Sequence, residues 1–484
     1  PFLLMFLAPL AQAFCGFYVS GADTSLYNDA TMVVMMRSGT KTVLSMQNSY
    51  QGPPEAFAMV VPVPQVLKKT NVKTLPREIF SRVDTLASPR LVAYWEQDPC
   101  FVPPPMLMKS TRMAVDEAMA AEDDGKFGVK IEAQFSVGEY DIVVLSASDS
   151  NGLDKWLRKE KYNIPKGADE VLAPYVAAGT KFFVAKVDPA RVTFDGDRAV
   201  LSPLRMHYDS EDFALPVRLG LLNAKGQQDL IVHILAPGQR YEVANYDNAF
   251  IPTNLRVAPE VQDGFPSFYE ALFTEVARPR TVVTEYSWDA SWCDPCPQPA
   301  LDPAELATLG GDIIEGVGSF VLTRLHYRYE ADGLDADLMF KAAPPVRGGQ
   351  GTPNADGTFA MQGTEPAPTN TFQGRYAILH RWAGEVTCDN PTRGRWGGPP
   401  SGPPEIPTAR SPLGQGGPAK ATPALATLLR DPIPGVKPVA APEEAPEAAP
   451  ETPAPKSGGC TTLGSSLALG AFVLLPLAAR RRRG

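Results

Sequence analysis

Seventeen of the chain's 49 prolines fall within the 69 residues from Pro391 to Gly459. The stretch is Pro, Ala, Gly and Glu with few large apolar groups, as in Pro442 to Pro455, and such a composition buries too little apolar surface to offset its ordering entropy. Residues 389–459 are therefore expected to form a disordered, polyproline-biased linker that reaches about 200 Å if fully stretched. A packed core must then come from residues before 389. Hydrophobic residues at 44% and charged ones at 20% leave ample material for it, and 484 residues suggest more than one domain. The net charge of −9 argues against a nucleic-acid partner, which needs a basic surface.

Both ends carry processing signals. An apolar run from Phe2 to Leu10 leads into Ala11-Gln12-Ala13, the small-residue pattern of a signal-peptidase site. Residues 1–13 read as a signal-peptide remnant cut after Ala13; Phe14 before Cys15 disfavours lipoprotein processing. At the other end, Gly458-Gly459-Cys460 precedes 19 uncharged residues (461–479) and the cluster Arg480 to Arg483. Nineteen residues of helix span about 28 Å, close to a bilayer's hydrocarbon core. The arginines place the tail's end in the cytoplasm and the rest of the chain outside. This order of parts resembles the MYXO-CTERM sorting tail of myxobacterial surface proteins. The resemblance implies that Cys460 is the processed anchor residue, that a sorting protease acts on residues 460–484, and that the membrane is reached through the tail or a lipid-type anchor.

Between the ends the pattern is mostly β. Apolar runs bounded by Gly, Pro and Asp turns predict strands at 57–64, 140–145, 181–187, 229–235 and 280–288. Apolar spacings of three and four predict a helix pair at 154–162 and 168–176, a helix at 110–122 and a short one at 303–309. A faint repeat runs Val43-x-x-Met46-x-x-x-Tyr50, Leu201-x-x-Leu204-x-x-x-Tyr208 and Leu322-x-x-Leu325-x-x-x-Tyr329, each followed by a second apolar strand, as in a β-hairpin. The expectation is an α+β, predominantly β fold of two or three related antiparallel units, divided into an N-terminal unit at 14–199 and a C-terminal unit at 200–388.

Five cysteines remain in this region: Cys15, Cys100, Cys293, Cys296 and Cys388. An exported compartment is oxidising, so disulfides are the default fate. The expected pairing is Cys15 with Cys100, and Cys388 with one of Cys293 and Cys296. Trp292-Cys293-Asp294-Pro295-Cys296 resembles the thioredoxin redox motif, in which the first Cys is the reactive thiol at a helix N-terminus. Here Pro297 and Pro299 follow at once, so a structural bridge is the favoured reading. His207, His233, His326 and His380 each fall inside a predicted strand, with no partner at ligand or triad spacing. Glu330, Asp332, Asp335 and Asp337 crowd one turn and read as solvated carboxylates rather than a calcium site. No catalytic residue, cofactor-binding residue or metal ligand is assigned.

Phe14 to Phe17, Tyr50 to Pro64, Asp98 to Cys100, Phe213 to Leu222, Cys293 to Cys296 and Leu322 to Leu325 together resemble the uncharacterised bacterial family DUF2330. The resemblance implies a fold neighbourhood and no reaction. The resulting expectation is an exported protein tethered at the cell surface or outer membrane of a Gram-negative, myxobacterial-type bacterium, acting without catalysis in display, adhesion or envelope structure, toward a surface protein or polysaccharide. The alternative is an envelope thiol–disulfide oxidoreductase built on Cys293 and Cys296.

Overall fold

The dominant elements are strands whose apolar runs are buried on both faces. In Gln228–Pro237, Leu230, Val232 and Ile234 enter one core while Leu235 enters another and His233 faces away from the first. A strand buried on both sides loses its polar alternation, and this one is buried almost throughout. The computed structural model describes residues 17–20, 27–28, 32–47, 49–51, 57–101, 130–147, 150–160, 167–195, 198–223, 227–314, 319–399, 406–409 and 424–434. Ala13, Cys15, the expected helix at 110–122, Cys460 and the whole tail lie outside them. Residues 1–440 group into one unit, and the second, 441–484, lies wholly outside the described residues.

The main elements are β1 (Met32–Ser38), β2 (Lys41–Gln47), β3 (Phe57–Val63), α1 (Glu78–Ala87), β4 (Arg90–Glu96), β5 (Lys130–Val137), β6 (Tyr140–Ser146), α2 (Ser150–Lys159), α3 (Ala168–Ala177), β7 (Lys181–Val187), β8 (Leu204–Asp209), β9 (Gln228–Pro237), α4 (Phe265–Val276), β10 (Thr281–Asp289), β11 (Phe320–Tyr329) and β12 (Arg375–His380). The largest sheet runs β10, β11, β9, β1, β2, β8 through its middle. All its neighbouring pairs there are antiparallel except β9 and β1. A smaller sheet orders β3, β7, β6, β5. The fold is α+β and mainly β.

Four layers result. Val33, Met35, Leu44, Met206, Val232 and Leu325 of the large sheet face Met59, Val61, Ile142, Val144 and Phe183 of the small one across a shared core. The outer face of the small sheet is roofed by α2 and α3 through Leu153, Leu157 and Leu172. The outer face of the large sheet takes α1 through Ile79, Phe80, Val83 and Leu86, and α4 through Phe265, Phe268, Leu272 and Phe273. A third sheet pairs β4 in parallel with β12.

Several expectations meet a different arrangement. The 199/200 division falls between strands of one sheet: β1 lies beside β9, Met32 opposite Ile231, so the two stretches share a core. The three repeat copies do not form hairpins. After β2, β8 and β11 the chain leaves the sheet, and the next strand (Ser49–Gln51, Ala214–Leu215 and Leu338–Ala343) pairs in another one. Part of the expected linker also belongs to the body. Trp396–Gly397 pairs with β4, Ala409 is fully buried, and Leu428 packs beside α4's partners. Asp431 takes Arg256 in a two-pronged ion pair. A few apolar anchors and one acid outweigh the surrounding prolines.

Candidate functional site: a sealed charge chain and a disulfide-tied loop

Where β10 and β11 meet under α1 and α4, polar residues interrupt apolar strands. Arg324, His326 and Arg328 are two apart on β11 and so share one face, opposite Leu325 and Tyr327. β10 carries a β-bulge between Thr284 and Tyr286, and Glu285 is its extra residue. A bulge re-aims a side chain, and this one brings Glu285 to both neighbours. Its carboxylate accepts from Arg324 Nε at 2.5 Å and from His326 Nδ1 at 2.7 Å, and also from the Tyr269 hydroxyl of α4. Arg324 Nη1 in turn donates to Asp84 of α1 and, at 3.2 Å, to Ser88 Oγ. His326 Nε2 meets Asp229 of β9 at 2.8 Å, and Arg328 grips the same carboxylate with Nε at 2.8 Å and Nη2 at 2.9 Å.

Asp84, Arg324, Glu285, His326, Asp229 and Arg328 thus alternate in sign, three carboxylates against three cations. Burial pushes the Glu285 carboxyl up, but the charges of His326 and Arg324 and the bonds from His326 and Tyr269 outweigh it and hold it at about 2. Asp229 is likewise held at about 2, burial being outweighed by His326 and Arg328. For His326, burial opposes the imidazolium and Glu285 and Asp229 favour it, with a net upward shift. His233 behaves oppositely: burial and the Arg324 guanidinium push it well below its ordinary value, leaving it neutral. The Phe273 ring stacks on His326 at 4.0 Å and closes the top. Glu285 and His326 are 0% exposed and Arg324 1%. The inner members of the charge chain, Asp84, Arg324, Glu285 and His326, are shut off from solvent, while Asp229 and Arg328 reach the edge, and together the six fasten α1, α4, β9, β10 and β11.

Reading the histidines as plain strand positions therefore missed His326. Its partners lie 41 and 97 residues away in sequence, beyond any local spacing rule. The usable signal was Glu285, Arg324 and His326 standing inside otherwise apolar strands. His207 is half-buried, 3.0 Å from Asn71 Nδ2, and burial lowers it. His380 stacks on Trp95.

Four of the five cysteine candidates are joined, in a different pairing from the expected one. Cys100 bonds Cys388 across 288 residues, and Cys293 bonds Cys296. Spatial proximity follows from β4 and β12 running side by side, which delivers Cys100 and Cys388 just past their ends. The second bridge closes the loop after β10. Arg90 Nη1 donates to the Pro295 carbonyl at 2.7 Å, Gln373 Nε2 donates to the Asp294 carbonyl, and Gln298 Nε2 reaches the Arg82 carbonyl at 2.8 Å. Arg82 also bonds the carbonyls of Pro299 and Ala300 and pairs with Glu305. Cys293 is buried against the α1 core, Cys296 is exposed, and Trp292 beside them is 59% exposed. The loop does not start a helix; the next one, Pro303–Leu306, begins seven residues after Cys296.

In the acidic turn, Asp335 pairs with Arg280, and Asp337 accepts from Tyr175 and two backbone amides. Among the described residues no group of three or more His, Cys, Asp or Glu side chains is arranged to hold a metal, and no helix is long and apolar enough to cross a membrane.

The chain belongs to the DUF2330 family, described as uncharacterized proteins conserved in bacteria, whose model matches residues 9–341. No curated protein and no solved structure matches it. The matched span holds the whole charge chain and the Cys293–Cys296 loop; Cys388 lies beyond it.

Proposed function

We propose that this is an exported protein tethered to the bacterial cell surface, serving display, adhesion or envelope structure rather than turnover. The observation that carries the proposal is the Cys100–Cys388 bridge. Disulfides form and persist in oxidising compartments outside the cytosol, and this one closes most of the folded body into a single loop. Ala11-Gln12-Ala13 and the Cys460 tail agree with that location from the two ends of the sequence. The alternating charge chain is largely buried and holds layers together, which suits a scaffold. Such a protein reaches outward through its surface, toward another surface protein or a polysaccharide.

Surface labelling tests this. Intact native cells treated with a membrane-impermeant amine reagent should yield labelled protein, recovered in the envelope fraction. Labelling that requires cell lysis, with the protein in the cytosolic fraction, overturns the proposal.

A further inference from the structure

The sequence motif points to Cys293 as a reactive thiol, but the fold reverses the two positions: Cys293 is buried and Cys296 is exposed. We propose that the Cys293–Cys296 disulfide is a redox-active pair in which Cys296 is the sulfur that incoming thiols attack and Cys293 is the buried leaving and resolving thiol. The activity goes beyond tethering and does not depend on it.

Three features of the loop carry the inference. Exchange needs one accessible sulfur and one protected from competing thiols, and the two cysteines divide in that way. The backbone around the pair is held independently of the bond, through Arg90 to the Pro295 carbonyl, Gln373 to the Asp294 carbonyl and Gln298 to the Arg82 carbonyl. Opening the disulfide therefore leaves Cys293 and Cys296 near each other and able to re-form it. Finally, Trp292, packed at one edge on Trp288 with ring centroids 5.7 Å apart, stays largely exposed and offers an apolar landing surface next to the pair. Cys100–Cys388 has no such short-range geometry, its partners being 288 residues apart.

The substrate class is a polypeptide segment with two thiols. One substrate thiolate attacks Cys296 Sγ; the Cys293–Cys296 bond breaks, its electron pair goes to Cys293 Sγ, and that thiolate takes a proton from water. The substrate's second thiolate then attacks its own sulfur in the mixed disulfide and expels Cys296, which is protonated in turn. The substrate is oxidised by two electrons to a disulfide and the protein is reduced by two electrons to the dithiol.

The test uses the full chain with Cys100–Cys388 intact and a synthetic peptide carrying two cysteines. Mixed one to one, the reduced peptide should be oxidised while differential alkylation labels Cys293 and Cys296 and leaves Cys100 and Cys388 protected. In single variants reacted with an aromatic disulfide reagent, the free Cys296 of Cys293→Ser should react at least tenfold faster than the free Cys293 of Cys296→Ser. Circular dichroism on both variants checks that each is folded. A pair that resists the peptide until the protein is denatured, or a folded Cys296→Ser protein that reacts as fast as Cys293→Ser, overturns the proposal.

Discussion

Replacing Glu285 by Gln removes the central charge of the buried chain while keeping its shape. Its carboxyl sits at about 2 against an ordinary 4.5, and at about 1.4 kcal/mol per pH unit the ionised form is favoured by about 3 kcal/mol. Arg324 keeps Asp84 and His326 keeps Asp229 in the variant, so neither cation is left bare, and the loss should stay near about 3 kcal/mol, the low end for breaking a buried pair. The sign with pH is fixed. A depressed carboxyl contributes stability that is fully present above pH 4.5 and is lost as pH falls toward its folded value of about 2. Urea denaturation of wild type and Glu285→Gln should thus show a gap of about 3 kcal/mol at pH 6 that narrows to about 1 kcal/mol at pH 3. A gap below about 0.5 kcal/mol at pH 6, or one that does not change with pH, refutes the assignment of Glu285 as the hub.

His326 gives the alkaline counterpart. Its pKa is raised above 6.5, so its contribution is complete below that pH and fades as pH rises through the folded value; a wild-type stability profile rising on the alkaline side would contradict this. Cys388→Ser opens the 288-residue loop and should cost about 3–5 kcal/mol, read by the denaturation midpoint of the oxidised protein, with no shift counting against the bridge. Gly349→Ala places a methyl group against the Gln373 carbonyl at a φ of 68° and should destabilise by more than about 2 kcal/mol, whereas a neutral result would place that backbone elsewhere. Asp431→Asn frees Arg256 and should raise protease cleavage within 424–434 several-fold while moving global stability by no more than about 1 kcal/mol; unchanged cleavage would mean the segment is held by Leu428 alone.

The strands were legible because each is a local pattern: the runs expected at 57–64, 140–145, 181–187, 229–235 and 280–288 coincide with their elements to within two residues. So was the helix pair α2 and α3. Helix α4 was not, because Phe265, Phe268, Tyr269 and Phe273 are β-favouring residues, and their helical spacing matters only against a waiting apolar face. Helix α1 follows a proline-broken stretch and hides Asp84 on its buried face. Disulfide pairing, the continuity of the large sheet across residue 200 and the charge chain all depend on which strands lie side by side. That information sits in contacts between distant residues, as with Arg90 opposite Arg375 in β4 and β12.

Oxidation and processing outside the cytosol are tested most directly by non-reducing peptide mapping by mass spectrometry on protein taken from native cells, with free thiols alkylated first. It should find Cys100 linked to Cys388, Cys293 linked to Cys296, a mature chain beginning after Ala13 and an end at a modified Cys460. Alkylated Cys100 and Cys388 together with an intact Arg480 to Arg483 tail would contradict it.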